Sequence, residues 1–325
     1  MSENEQPTGG SGGVPRIAEY YDYEPNMAAN VVFVVLFLAA TLGHSFFMFK
    51  MRTWYFIPFV IGILFEAVGY IFRVISAGET HPNYSFVPYL LQTLLILLGP
   101  ALMAASIYMV LGRLIRLLDA HQYALIRVNW TTKVFVLGDV LSFITQGAGG
   151  GILANAETES ANNLGQAVIL VGLGIQVLFF GFFIVTTIVF HLRINKNPTA
   201  RSFSVTAPWR QLILILYASS VLIMVRSIFR MAEFGAGRES DLMTKEVYLL
   251  VLDAMLMFLV AAAFLWKFPG KVLVGYRDVS KLRGTSAGGV TDEESSSARD
   301  GIQMIKRGNG QQLSASQPYE PYMER

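Results

Sequence analysis

Two stretches decide the fold: Phe65-Glu-Ala-Val-Gly-Tyr-Ile-Phe-Arg73 and Arg226-Ser-Ile-Phe-Arg-Met-Ala-Glu-Phe-Gly-Ala-Gly237. Each lies at the end of a run of roughly twenty apolar residues, the length of helix that crosses a hydrocarbon core. A charge in such a helix costs a few kcal/mol or more, so it pairs with another group or faces a polar cavity. Glu66 and Arg73 are seven apart, about two turns, and share a helix face. Arg226, Arg230 and Glu233 follow at i, i+4 and i+7 and share a face as well. Two membrane helices, each carrying both signs of charge on one stripe, organise the rest of the chain.

Working outward, the composition agrees. Of 325 residues 53% are hydrophobic and 15% charged, whereas charged residues approach a quarter of an ordinary soluble domain. The expected fold is all-α, a polytopic membrane protein with a seven-helix bundle spanning approximately 28–49, 54–75, 86–112, 131–153, 164–191, 209–230 and 246–266. The third and fifth segments exceed the minimum length and are expected to tilt or to project beyond the bilayer. Short connections leave no room for an inserted soluble domain. Residues 1–27 are expected as an extracellular tail without a cleaved signal peptide. Residues 267–325 are expected as a cytosolic tail, mostly disordered from about 278, where Ser, Gly, Gln and charge dominate. Glu293-Glu294-Ser295-Ser296-Ser297 in that tail offers a phosphorylation site, with a plain solvated tail the favoured reading.

Lys and Arg set the orientation. Lys50, Arg52, Arg113, Arg116, Arg127, Arg193, Lys196 and Arg201 fall in the odd-numbered loops, and Lys267, Lys271, Arg277, Lys281 and Arg283 follow the last span. Arg16, Arg238 and Lys245 are the counterparts on the other side, so thirteen stand against three. The N-terminus is expected outside and the C-terminus in the cytosol. Of two glycosylation sequons, Asn83-Tyr84-Ser85 falls on the expected outer side and is the candidate; Asn129-Trp130-Thr131 falls on the inner.

Polar residues on other spans extend the charged stripes. Asp139 and Gln146 share a stripe of the fourth helix, and Glu246 and Asp253 share one on the seventh. The expected arrangement is a polar lining between helices two, four, six and seven, concentrated in the outer half. Its candidate substrate-binding residues are Glu66, Arg73, Asp139, Gln146, Arg226, Arg230, Glu233, Glu246 and Asp253. Ion pairing that merely fixes helix register is the competing reading. Pro100 inside the third span removes a ladder hydrogen bond that a neighbour must compensate. The glycines Gly147, Gly149, Gly150, Gly151, Gly172, Gly174 and Gly181 fit close helix packing.

Several function classes are excluded. There is no cysteine, hence no disulfide or thiolate site, and a net charge of +2 argues against nucleic acid as a partner. His44, His81, His121 and His191 fall on separate segments, so no metal is expected, and His44 is expected to be packed and hydrogen-bonded. No HExxH, GxSxG or nucleotide-binding loop is present, so neither catalytic residues nor a cofactor are expected.

The motifs as a set resemble the fungal lipid-translocating exporter family, named for resistance to aminocholesterol and including a sphingoid long-chain base exporter. They are Tyr23-Glu-Pro-Asn26, Glu66 to Arg73, Gly99-Pro-Ala-Leu-Met-Ala-Ala-Ser-Ile-Tyr108 with Arg113, Asp139-Val-Leu-Ser-Phe-Ile-Thr-Gln146, Arg226 to Phe234, Glu246 with Asp253, and Phe268-Pro-Gly270. They run in order over roughly residues 20–275. Lys267-Phe268 stands where the family usually shows a histidine before Pro-Gly. The resemblance implies a seven-helix plasma-membrane, sometimes vacuolar, protein tied to movement or tolerance of amphipathic molecules. The expected function is translocation of such molecules (sphingoid bases, sterol analogues or phospholipids) for export and resistance. The rival is a seven-helix receptor-like lipid sensor, disfavoured by the missing Asp-Arg-Tyr and Asn-Pro-x-x-Tyr switches. A membrane enzyme acting on lipids is disfavoured by the missing catalytic set.

Overall fold

A computed structural model describes residues 26–79, 85–155, 158–205, 208–236 and 246–273. The expected tails and the sequon at Asn83 therefore lie outside the described residues, save for Asn26 and Met27 and for 267–273. Among the described residues seven helices are long and apolar enough to cross a membrane, and no strand occurs. The protein is an integral, multi-pass membrane protein with the expected all-α fold.

Local chemistry explains the helix ends. Asn26 caps α1 (Met27–Met51), its side chain accepting from the Ala29 amide, and Arg52 in the left-handed region closes the helix. A single 3₁₀ turn, Trp54–Phe56, leads into α2 (Ile57–Ala77), which takes Pro58 in its first turn, where no amide is needed. Then come α3 (Phe86–Leu117), α4 (Val128–Ala154) and α5 (Glu159–Lys196), the last capped by Thr158. A one-turn helix, Ala200–Ser204, precedes α6 (Trp209–Gly235). The last span, α7, is composite: Glu246–Leu249, a π-helical turn Leu250–Met255, and Leu256–Trp266.

The helices outrun the apolar segments that mark them. The fifth was expected over 164–191, yet α5 has 38 residues, about 57 Å at 1.5 Å per residue against a core of about 30 Å. Hydropathy sees only the lipid-matched part. The polar turns at either end, Glu159 to Asn163 and Arg193 to Lys196, are held by a cap and by the helical ladder and carry no apolar signal.

Sequential neighbours pack together, α1 on α2, α2 on α3, α4 on α5 and α3, α5 on α6, and α6 on α7; α7 also returns to α1 and closes the bundle. Aliphatic side chains such as Val35, Leu42, Leu137, Ile144, Leu178 and Leu214 point outward, as lipid requires. Because lipid tails are as apolar as these side chains, helix association there rests on close packing and polar contacts. The α2–α3 seam shows the packing. A Cβ on Gly62 would fall 2.6 Å from the Gly99 carbonyl oxygen, so only glycine lets these backbones approach.

At the end of the bundle where α1 meets α2, aromatic rings fill the interior. Phe56 stacks on Phe59 at 4.4 Å, Phe264 meets both rings and Phe268 meets Phe56. His44 lies fully buried among them, its Nε2 3.0 Å from the Ala261 carbonyl oxygen, the packed and hydrogen-bonded histidine expected of it. Phe268 stacks on Phe47 at 5.6 Å. Gly270 seats the chain against Met51 and Thr53, where a Cβ would come within 2.9 Å.

Candidate functional site

Near the opposite ends of α1 and α2, the charged stripes converge. Arg73 on α2 donates from Nε and Nη2 to Glu246 Oε1 on α7, at 3.3 and 3.0 Å. The same carboxylate ties in α1. Asn30 Nδ2 donates to Oε1 at 2.8 Å, and the Asn26 backbone amide donates to Oε2 at 2.6 Å. One helix deeper, Arg226 on α6 is fully buried and donates from Nε to Asp253 Oδ1 on α7 at 2.5 Å. Arg230 Nη1 donates to Glu233 Oε2 at 2.8 Å and stands 3.9 Å from Asp253 Oδ2.

Pro100 acquires a role here. In α3 it has no N–H to give to the carbonyl of Ile96, four residues back. Arg226 Nη2 takes that place, donating to the Ile96 oxygen at 2.8 Å. The helix interruption thus becomes an acceptor for a guanidinium, and α3, α6 and α7 are fastened at one point.

Glu66 completes the constellation without a cation of its own. It is 1% exposed, and its Oε1 has no hydrogen-bond partner. Among the described residues no basic nitrogen comes within 4 Å of either oxygen. The absence of a side chain at Gly99 leaves it room, since a Cβ there would be 3.0 Å from Oε1. Asp253, Arg226 and Arg230 are near enough to act on it electrostatically. The buried Tyr70 hydroxyl is near enough to Glu66, Asp253, Arg73 and Arg230 to interact electrostatically and likewise lacks a hydrogen-bond partner. Asp253 Oδ2, Arg226 Nη1 and Arg230 Nε are also unsatisfied. Five such atoms in one cluster are unusual, since buried polar groups are nearly always paired. They are what a site for water or for a ligand's polar group looks like.

The structure thus brings together Glu66, Arg73, Arg226, Arg230, Glu233, Glu246 and Asp253. It does not bring Asp139 and Gln146 to them. The expected lining between helices two, four, six and seven is corrected in this respect, because α4 packs on α5 and α3. Gln146 donates to Ser142 Oγ at 2.5 Å and lies 3.5 Å from Gln176 Oε1 of α5, while Ser142 donates to the Gly172 carbonyl at 2.7 Å. Glycine at 172 makes that approach possible. Asp139, 6% exposed, neighbours Tyr108 of α3, nine residues along from Gly99 or about 13 Å. The Tyr108 hydroxyl and the Asp139 carboxyl are each other's polar neighbours, and Phe135, Phe180 and Phe183 surround Tyr108. Periodicity names the face a residue occupies but not the helix it meets.

Sequence reasoning missed Asn26 and Asn30, Tyr70, the Ile96 carbonyl and the π turn that carries Asp253. The Asn26 signal was present, since a cap beside a membrane helix fixes where that helix begins. The π turn left no sequence signal; such turns cluster at functional sites. Asn129, of the sequon expected on the inner side, accepts from Arg116 Nη2 at 2.7 Å.

Comparison with known proteins adds to this geometry. The family model described as "RTA1 like protein" matches residues 59–275. The chain is 34% identical to protoporphyrin uptake protein 1 of Saccharomyces cerevisiae, over 75% of this chain and 90% of that one. It is 31% identical to the "probable lipid transporter atnI" of Emericella nidulans, over 83% and 70%. It is 25% identical to the sphingoid long-chain base transporter RSB1 of Saccharomyces cerevisiae, over 77% and 73%. No solved structure matches. The matched segment contains every residue of the converged charge cluster, and the chain belongs to the RTA1-like family.

Proposed function

We propose that this protein translocates amphipathic lipid-like molecules across a bilayer, using the charge cluster of α2, α3, α6 and α7 as the headgroup site. The observation that carries this reading is the coexistence of satisfied ion pairs and unsatisfied polar atoms in one buried place. A purely structural network would close on itself, because each open polar atom in a low-dielectric interior is costly. Here the three guanidiniums are pinned by carboxylates while Glu66 Oε1, Tyr70 Oη and Asp253 Oδ2 stay open. A headgroup with an amine donates to these acceptors, and a phosphate meets Arg226 Nη1 and Arg230 Nε. The tail remains against the aliphatic helix surface. Relatives named as a lipid transporter and a sphingoid long-chain base transporter support this class of substrate.

In the same reading the N-terminus is outside, the cluster sits in the outer half of the bilayer, and the protein resides in the plasma membrane or the vacuolar membrane. Its physiological use is export of, and resistance to, toxic amphiphiles. No catalytic role is assigned to the carboxylates.

The test is lipid movement in vesicles containing only the purified protein. A fluorescent sphingoid base and a fluorescent phospholipid are followed from one leaflet to the other. Accelerated movement that falls in Asp253→Asn supports the translocase. Tight binding without movement replaces it with the receptor-like sensor.

A further inference from the structure

The cluster does not balance its charges. It holds three guanidiniums, Arg73, Arg226 and Arg230, which stay protonated in any protein. Among the described residues it holds four carboxyls, Glu66, Glu233, Glu246 and Asp253, and three of them are matched one to one with the arginines. With all seven of these described groups ionised they carry one excess negative charge, and that charge falls on the unmatched acid, Glu66. A buried carboxylate with neither an ion partner nor a hydrogen bond to its Oε1 is costly, so it keeps a proton or holds a cation.

The groups facing it leave one opening. On its own helix are Tyr70 and, a turn further, Arg73, which is committed to Glu246. From α3 come the Gly99 backbone against Glu66, and Tyr89 near Arg230. From α6 come Arg226, Arg230 and Glu233, and from α7 Asp253. Neither α3 nor α7 supplies a cationic side chain here, and both α6 cations are engaged by other acids. Among the described residues the open acceptors within electrostatic reach of Glu66 are the Tyr70 oxygen and Asp253 Oδ2. Three acceptors and one missing positive charge describe the complement of a primary ammonium, which carries three donors and a single charge.

We propose that Glu66 exchanges one proton for one cationic amine headgroup, so that substrate binding is coupled to proton release. The step is balanced: the Glu66 carboxylic acid and an alkylammonium give the carboxylate–ammonium pair and one free proton. The carboxyl O–H bond breaks, the ammonium keeps its three protons, and the cluster is neutral in both states. A proton gradient can then act on this exchange, with the amine bound on the less acidic side and displaced by a proton on the more acidic side. This rests on the translocase reading and adds to it the cargo class and the coupled ion.

The test uses the full-length protein in detergent and then in vesicles, with hexadecylamine as probe and its uncharged N-acetyl derivative as control. Proton release in lightly buffered solution is measured alongside binding. The expected result is one proton released per amine bound. Affinity should rise with pH, by at most about tenfold per pH unit, while the amine itself stays charged. Glu66→Gln should bind the amine weakly and release no proton, and Glu66→Asp should restore part of the release. The wild-type pH series stands even where a variant fails to fold. Amine binding that is independent of pH and releases no proton overturns the exchange, while lipid movement in the same vesicles would leave the translocase intact. Failure of both binding and movement overturns both.

Discussion

Take away Arg226 and three things should happen in the structure at once. Asp253 is left as a 1% exposed carboxylate without its closest cation, α6 loses its shortest ion pair to α7, and the Ile96 carbonyl loses the donor that substitutes for Pro100. Breaking a buried ion pair by removing one partner costs about 3–5 kcal/mol. Arg226→Met should therefore lower the unfolding free energy in micelles by about that amount, and Asp253→Leu should do so comparably. Removing both partners is different, since an apolar pair of similar volume is often neutral. The double variant should recover most of the loss and stop short by the unsatisfied Ile96 carbonyl, about 1–3 kcal/mol. Adding Pro100→Ala restores an N–H four residues beyond Ile96 and should recover that remainder. Denaturant titration of purified protein, followed by near-UV circular dichroism, measures each step. The transport assay should show the repaired triple variant folded and inactive. If Arg226→Met unfolds within about 0.5 kcal/mol of wild type, or if Pro100→Ala adds nothing to the double variant, the pinning argument is refuted.

Other positions give independent checks. Gly62→Ala places a Cβ 2.6 Å from the Gly99 carbonyl and should cost about 1–3 kcal/mol. Gly147→Ala meets nothing within 4 Å and should stay within about 0.5 kcal/mol, a contrast readable in the same titration. Glu246→Gln removes the charge met by Arg73, Asn30 and the Asn26 amide. A loss of about 1.5–3 kcal/mol is expected, with faster amide hydrogen exchange confined to the first turns of α1. His44→Leu removes the His44 hydrogen bond to the Ala261 carbonyl, which lies within a helix and keeps its place in the ladder, and should cost about 0.5–1.5 kcal/mol. It should not change which lipid is moved, because His44 lies among the aromatic rings far from the cluster. A changed lipid preference in the vesicle assay would contradict that separation.

The seven spans were legible because twenty consecutive apolar residues have no other stable use. Their polar ends were not, as α5 shows, since a capped polar turn looks like loop to a hydropathy window. The charge stripes were legible by the same helical arithmetic, and Glu66, Arg73, Arg226, Arg230 and Glu233 are all buried on the faces their spacing gave. Their partners were not. Arg73 meets Glu246, 173 residues away, and the sequence offered Glu66, Glu233 or Asp253 equally well for each arginine. Asp139 and Gln146 show the same limit from the other side, a buried stripe turned to α5 and α3. Pro100 announced an open carbonyl at Ile96, but only the structure reveals that a guanidinium fills it.

The central claim is that an unbalanced, partly open charge cluster binds the headgroup of a moving lipid. Its most direct measurement is leaflet-to-leaflet transfer of a fluorescent sphingoid base in vesicles of purified protein, comparing wild type with Glu66→Gln. The account predicts transfer well above protein-free vesicles in wild type and near that background in Glu66→Gln, with both proteins folded. Equal transfer by the two would mean that the cluster only holds the bundle together and that the lipid passes elsewhere.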